Sequence, residues 1–221
     1  NCSTDNTKQI CENFKQKHNN FSYITNRYNV GGCVNIAKAY ENFSKEYLWI
    51  LGDDDLYDWS NWNEVENAIF SNEQVILVSH TTLPECYKDN LPRLLSLASF
   101  MSAAIVSKNL ITSTVVKNCY EKSVSLFPHL VPLVPYINKG GKFYLCKKEI
   151  VKWGGFEQNK SDIRKYYFGD DLEVLNKRSF YMSSFNSFID TLSDLHDQQL
   201  KYAITRLQLE KSYSWWRWRT L

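Results

Sequence analysis

Several protein classes are excluded by what this sequence lacks. No apolar stretch among its 221 residues approaches the roughly 20 needed to cross a bilayer as a helix, and none reads as a secretory leader. An excess of one charge is also missing: 26 Lys and Arg stand against 24 Asp and Glu, a formal net charge of +2. Nucleic-acid binding normally shows as a basic excess or stripe, so a small-molecule partner is expected and no nucleic acid. The six cysteines are scattered, with no C-x-x-C pair and no His-Cys grouping at zinc spacing. They read as reduced, mostly packed thiols of a cytoplasmic protein, with secretion and disulfides the alternative that an even count leaves open. Neither an internal repeat nor a low-complexity linker is present.

Against this plain background stand three consecutive aspartates, Asp53, Asp54 and Asp55, directly after Tyr47-Leu48-Trp49-Ile50-Leu51 and Gly52. The apolar run predicts a strand buried on both faces, and the aspartates fall where it leaves the sheet. Strand ends are where open α/β sheets bind ligands. Adjacent carboxylates repel one another, and a cation or a set of donors offsets that repulsion. Hard oxygen ligands on a short loop suit manganese (Mn²⁺) or magnesium (Mg²⁺), which would in turn hold a substrate's phosphates. The alternative is a solvated acidic turn, with Asp58 or Ser60 capping a helix that starts near Trp59.

The surrounding pattern predicts an α/β fold. A helix is expected from about Asp5 to His18, a strand over Phe21–Thr25, a helix over Val34–Phe43, the strand Tyr47–Leu51, a helix over Trp59–Phe70 and a strand over Val75–Val78. This strand-helix rhythm with short connections predicts a mostly parallel, Rossmann-like sheet flanked by helices. Further on come an apolar segment at Ala103–Val106, a helix over Lys108–Tyr120, a helix ending near Ile137, and a strand Lys142–Cys146 with Ile150–Trp153 as its partner. From about Ser161 the pattern is helical, so a main domain is expected over 1–155 and a helical C-terminal region over 156–221. Near its end stands Trp215-Trp216-Arg217-Trp218-Arg219, an interface-seeking composition suited to peripheral contact with a membrane, with packing back on the domain or against another subunit as the alternative.

Three segments together resemble glycosyltransferase family 2. Asn1-Cys2-Ser3-Thr4-Asp5-Asn6-Thr7 is similar to the end of its D-x-S-x-D-x-T stretch, and Asn29-Val30-Gly31-Gly32-Cys33-Val34-Asn35 to its N-x-G-x-x-x-N segment. Glu46 to Asp55 resembles the strand that delivers the family's metal-binding aspartates. Ser102 to Ser107 and Phe127-Pro128-His129-Leu130 are similar to an abequosyltransferase-like subgroup of bacterial surface polysaccharide synthesis.

The resemblance covers about residues 1–153. It implies a GT-A fold, a nucleotide-sugar donor, a divalent metal and inversion at the anomeric carbon. With the terminal Trp/Arg cluster, the expected acceptor is a saccharide, lipid-linked, at the inner face of the cell membrane. By the same resemblance the family's first strand is missing, and the chain reads as N-terminally truncated. Gly52 stands where many members carry an aspartate.

Carried onto this sequence, the metal ligands are Asp54 and Asp55, with Asp53 contacting ribose or a metal-bound water. Asp5, Asn29, Gly31 and Asn35 fall at the nucleotide, where helix capping and an ordinary turn are the competing roles. Where the family places an acidic base, Phe127-Pro128-His129 stands instead, and His129 suits a general base near neutral pH, with capping or packing at a helix start as the competing role. Asp171, in the pair Asp170-Asp171, is the competing acidic candidate, although an acidic first turn favoured by the helix dipole is the stronger expectation for that pair. Two other functions use similar aspartates or a similar fold: a metal-dependent nucleotidyl or phosphotransferase, and a non-catalytic relative that binds saccharide.

Overall fold

The computed structural model describes residues 2–53, 55–78, 90–152 and 185–217. Its larger sheet has four strands in the order β1 (Tyr47–Trp49), β4 (Ala104–Ser107), β3 (Val75–Leu77) and β5 (Tyr144–Leu145). β4 runs antiparallel to both β1 and β3, whereas β3 and β5 are parallel. The expected α/β layering is present, but the mostly parallel sheet is a mixed one among the described residues. The cause is β4: the chain returns through the middle of the sheet between β1 and β3, and periodicity carries no sign of strand direction.

Side-chain alternation divides the core into two layers. Val75, Leu77 and Val106 face one cluster, with Ile36, Ala37 and Tyr40 of α2 (Gly31–Asn42) and Leu94, Leu95 and Ala98 of α4 (Leu91–Ala98). Ile76, Val78 and Ile105 face the other, with Val65 and Ala68 of α3 (Trp62–Phe70) and Ile150 and Val151. A period of two along β3 thus supplies both layers. The first layer also takes Val115 and Cys119 of α5 (Ser113–Glu121), Leu133 and Ile137 of α6 (Leu133–Asn138), and Phe188, Leu192, Leu195 and Ile204. Residues 185–191 are helical, and the C-terminal helix Gln198–Arg217 packs on α4. The expected boundary between 155 and 156 lies outside the described residues.

Three local expectations are corrected. Phe21–Thr25 alternates in burial but pairs with no strand among the described residues, because alternation describes a half-buried extended chain whether or not an edge is beside it. β1 is half-buried, not buried on both faces, and Leu51 beyond it is 45% exposed. Among the described residues it is the sheet's edge strand, so one side lacks a covering neighbour.

Finally, β6 (Val151–Lys152) pairs with β2 (Leu56–Tyr57), not with the Lys142–Cys146 segment. β5 follows β3 as far as Cys146, whose N–H donates to the Leu77 carbonyl at 2.9 Å. The chain then passes the end of β3, where Ile150 N–H donates to Val78 O at 2.8 Å, and it meets the segment that follows the aspartates.

The helix expected near Asp5–His18 is α1 (Thr7–Lys17), which buries none of its residues. The cysteines fit the packed-thiol expectation in part. All five described are free, and Cys33, Cys119 and Cys146 are buried. Burial pushes the Cys33 thiol up to about 11 and those of Cys119 and Cys146 up to about 12, so they stay protonated and unreactive. Among the described residues no helix is long and apolar enough to cross a membrane.

Candidate active site

The aspartate turn is held by the strand that runs beside it. Trp49 pairs with Ile105 across β1 and β4, and continuing that antiparallel register by three residues sets Gly52 opposite Ser102. Gly52 N–H donates to Ser102 Oγ at 2.8 Å, and the Ser102 hydroxyl donates to Asp55 Oδ2 at 2.5 Å. Ser102 is fully buried. A hydroxyl bonded to a carboxylate is a charge-assisted contact, worth about 1.5–3 kcal/mol and short when well formed. Its effect is to point the Asp55 carboxylate one way.

Two aromatic residues complete the frame. Trp49 Nε1–H donates to the Ser102 carbonyl at 2.8 Å, and Tyr57 O–H donates to the Gly52 carbonyl at 2.6 Å. Gly52 and Ser102 are therefore tied at both backbone and side-chain level. Asp53 is exposed in the turn, Asp55 is half-buried, and Asp54 lies outside the described residues. Asp55, set by Ser102 beside an exposed Asp53, is a pair of hard oxygen donors on a short turn, which suits a small divalent cation. Among the described residues no group of three His, Cys, Asp or Glu side chains gathers to hold a metal.

The other expected binding residues form two local clusters. Asp5 Oδ1 accepts from Thr7 N–H at 3.0 Å and from Thr7 O–H at 2.5 Å, contacts that begin α1. Those Thr7 hydrogen bonds hold the Asp5 carboxyl below the usual range. Asn29 Oδ1 accepts from Gly31 N–H at 3.0 Å, and Gly31 adopts a φ of +77°, a left-handed conformation that favours glycine. Asn35 Oδ1 accepts from Asn26 Nδ2 at 2.5 Å, and Asn26 accepts from Lys38. The turn before α2 is thereby fastened to the helix. Cys2 Sγ, 3.8 Å from the Arg27 carbonyl, brings the start of the chain alongside this turn. The Arg27 guanidinium itself lies 5.3 Å over the Tyr28 ring.

His129 is not part of an accessible site. It sits in the 3₁₀ turn Pro128–Leu130, is 7% exposed, and places Nε2 3.1 Å from the Ser99 carbonyl, which fixes the proton on that nitrogen. Nδ1 is buried without a hydrogen-bond partner. Tyr40 O–H donates to the His129 carbonyl at 3.1 Å. Burial pushes the imidazole down to about 4, partly opposed by hydrogen bonds that the ring donates to the Ser99 and Ala98 backbone. A buried imidazole of lowered proton affinity is poorly placed to take a proton from an acceptor hydroxyl, an arrangement that weighs against the general-base expectation for His129. Asp171, the acidic alternative, lies outside the described residues, as do Trp218 and Arg219 of the terminal cluster.

This burial has a measurable consequence. The folded state takes up no proton at His129 until about pH 4, whereas an unfolded histidine takes one up near 6.5. Between those values the unfolded state binds more protons, so stability is full above 6.5 and falls as the pH drops towards 4, by up to about 3 kcal/mol. Urea unfolding from pH 7 to 4.5 should show this slope in the wild type and lose that component in His129→Gln. An unchanged slope in the variant would place the titrating group elsewhere.

Ser102, Trp49 and Tyr57 are the site residues that residue-by-residue reasoning misses. Ser102 stood in a segment marked only by resemblance, and its contact with Asp55 spans 47 positions. The signal that locates it is strand register, which needs the pairing partner.

The α/β layering and the carboxylate turn framed at a strand end agree with the GT-A fold, which the family match implies. The model of Glycosyl transferase family 2 matches residues 1–115, slightly more than half of the chain, and the chain belongs to that family. The match includes the aspartate turn, Ser102 and both clusters before β1. Neither the curated proteins nor the solved structures hold a significant match to it.

Proposed function

We propose that this glycosyltransferase moves a sugar, with inversion, from a nucleoside diphosphate donor to a saccharide acceptor. The observation that carries the reading is the Gly52–Ser102–Asp55 frame within the family match. Asp54 and Asp55 would hold Mn²⁺ or Mg²⁺, with Asp53 reaching the ribose or a metal-bound water. A divalent ion there supplies Lewis-acid stabilisation of the leaving diphosphate.

The chain's own residues do the positioning. Ser102 fixes one Asp55 oxygen so that the carboxylate need not reorganise as charge develops. Asn29, Gly31 and Asn35 shape the turn assigned to the nucleotide, with Asp5 beside the start of the chain. With His129 packed in the core, the acceptor proton falls to Asp171. The likeness of residues 102–107 and 127–130 to abequosyltransferase-like proteins supports a role in surface polysaccharide synthesis. The cluster Trp215, Trp216, Arg217, Trp218 and Arg219 would rest on the membrane that carries a lipid-linked acceptor.

Product identity tests the reaction class. Incubation with UDP-, GDP- and dTDP-sugars, Mn²⁺ and saccharide acceptors should release the nucleoside diphosphate as the sugar passes to the acceptor. Release of pyrophosphate from a nucleoside triphosphate and a sugar phosphate, with no diphosphate from any nucleotide sugar, would move the protein to nucleotidyl transfer.

A further inference from the structure

The segment just after the aspartates carries aromatic surface that the core does not use. Trp49, Tyr57, Trp59 and Trp62 form a four-ring cluster. Three of them pack against the buried layer containing Val65, Ile105 and Val151. Trp59 stands outside that layer and is 54% exposed.

Exposure alone would say little, because single surface apolar residues are ordinary. What distinguishes Trp59 is that its ring is braced. Tyr57 stacks on it at 5.7 Å with 21° between planes, and Trp49 and Trp62 meet it near edge-on at 5.8 and 5.7 Å. A ring held on several sides while half of it faces water offers a pre-organised flat face.

The cluster is also continuous with the candidate active site. Tyr57 donates to Gly52, and Trp49 donates to the carbonyl of Ser102, the residue whose hydroxyl orients Asp55. The carboxylate of the neighbouring Asp58 accepts from Ser60 N–H at 3.0 Å, which begins the 3₁₀ turn carrying Trp59. Lys148 and Lys152 lie within electrostatic reach of Asp58. A flat aromatic face beside the exposed Asp58 carboxylate matches a pyranose ring: its C–H face stacks on the indole, and a hydroxyl donates to Asp58. That carboxylate suits a neutral sugar better than a phosphate.

We propose that the exposed face of Trp59, braced by Tyr57, Trp49 and Trp62 and bordered by Asp58, is the platform on which a pyranose of the acceptor saccharide stacks. This rests on the glycosyltransferase reading above. It makes Trp59 a specificity residue for the acceptor and not for the nucleotide.

The test compares the full chain with Trp59→Ala and Trp59→Phe, each checked for folding by circular dichroism. Binding to a microarray of defined oligosaccharides, followed by titration with the strongest glycan, reads the platform. Calorimetry with UDP, GDP and dTDP in Mn²⁺ reads the donor site. Glycan affinity should fall about tenfold or more in Trp59→Ala, stay within about threefold in Trp59→Phe, and nucleotide affinity should be equal in all three.

Glycan binding that survives Trp59→Ala overturns the platform, as does a loss of nucleotide affinity in its place. So does a wild type that binds no glycan, including one that binds phosphatidylglycerol vesicles through Trp59. Glycan binding that depends on Trp59 in a protein that binds none of the nucleotides supports the platform and removes the glycosyltransferase reading, so the two fail separately.

Discussion

Asp55→Asn is expected to lower glycosyl transfer by about 10²–10³-fold with only a small change in melting temperature. The asparagine keeps the shape of the side chain, and its carbonyl oxygen still accepts from the Ser102 hydroxyl that now meets Asp55 Oδ2 at 2.5 Å. Ser102, fully buried, is therefore not left without an acceptor, and the main cost of an alanine at this position is avoided. What disappears is one negative charge, with its attraction for a divalent cation. Removing one of three adjacent carboxylates also relieves repulsion in the turn, which opposes any loss of stability. The measurement is initial-rate release of nucleoside diphosphate at saturating nucleotide sugar and Mn²⁺, beside a thermal melt. Turnover near the wild-type rate in a folded Asp55→Asn would remove Asp55 from the chemistry and leave the Ser102 contact as a structural clamp.

What could be foreseen of this site follows a physical boundary between local and long-range information. The aspartates after an apolar run, the Asn29–Gly31 turn and the helices α2, α3 and α5 are set by neighbours a few positions apart. Periodicity and turn chemistry report those directly. Ser102 opposite Gly52 and β6 beside β2 depend on which strands meet and in which direction, and side-chain pattern is blind to both. The same blindness explains Phe21–Thr25, which alternates without a partner strand, and the edge position of β1. His129 was legible as a chemical type but not as a location. Its base strength depends on burial beneath residues that are distant in sequence, among them Ser99 and Tyr40.

Phe188→Ala is expected to destabilise the whole described fold by about 3–5 kcal/mol, a large share of the about 5–15 kcal/mol that typical domains possess. Phe188 is 2% exposed and meets Phe127 edge-on at 5.2 Å, within the layer that also holds Leu77, Leu95 and Leu130. The segment around it is fastened to α5, α6 and the turn between them at several points. Lys122 reaches Asp190 at 3.2 Å, Ser125 and Thr191 share a buried hydrogen bond of 2.9 Å, and Asn138 exchanges bonds with Asp194 and His196.

Urea unfolding should accordingly show one transition in both proteins, moved to lower urea in the variant, with far- and near-UV signals lost together. Two transitions, of which only a minor one moves, would instead make the C-terminal region a separate unit. The coupling extends to function. The C-terminal helix packs on α4, and α4 leads through Ser99 and Phe100 into the 3₁₀ turn Met101–Ala103 that holds Ser102. Because this layer and the residue that aims Asp55 unfold together, transfer by Phe188→Ala should be lost along the same lowered transition as the helices.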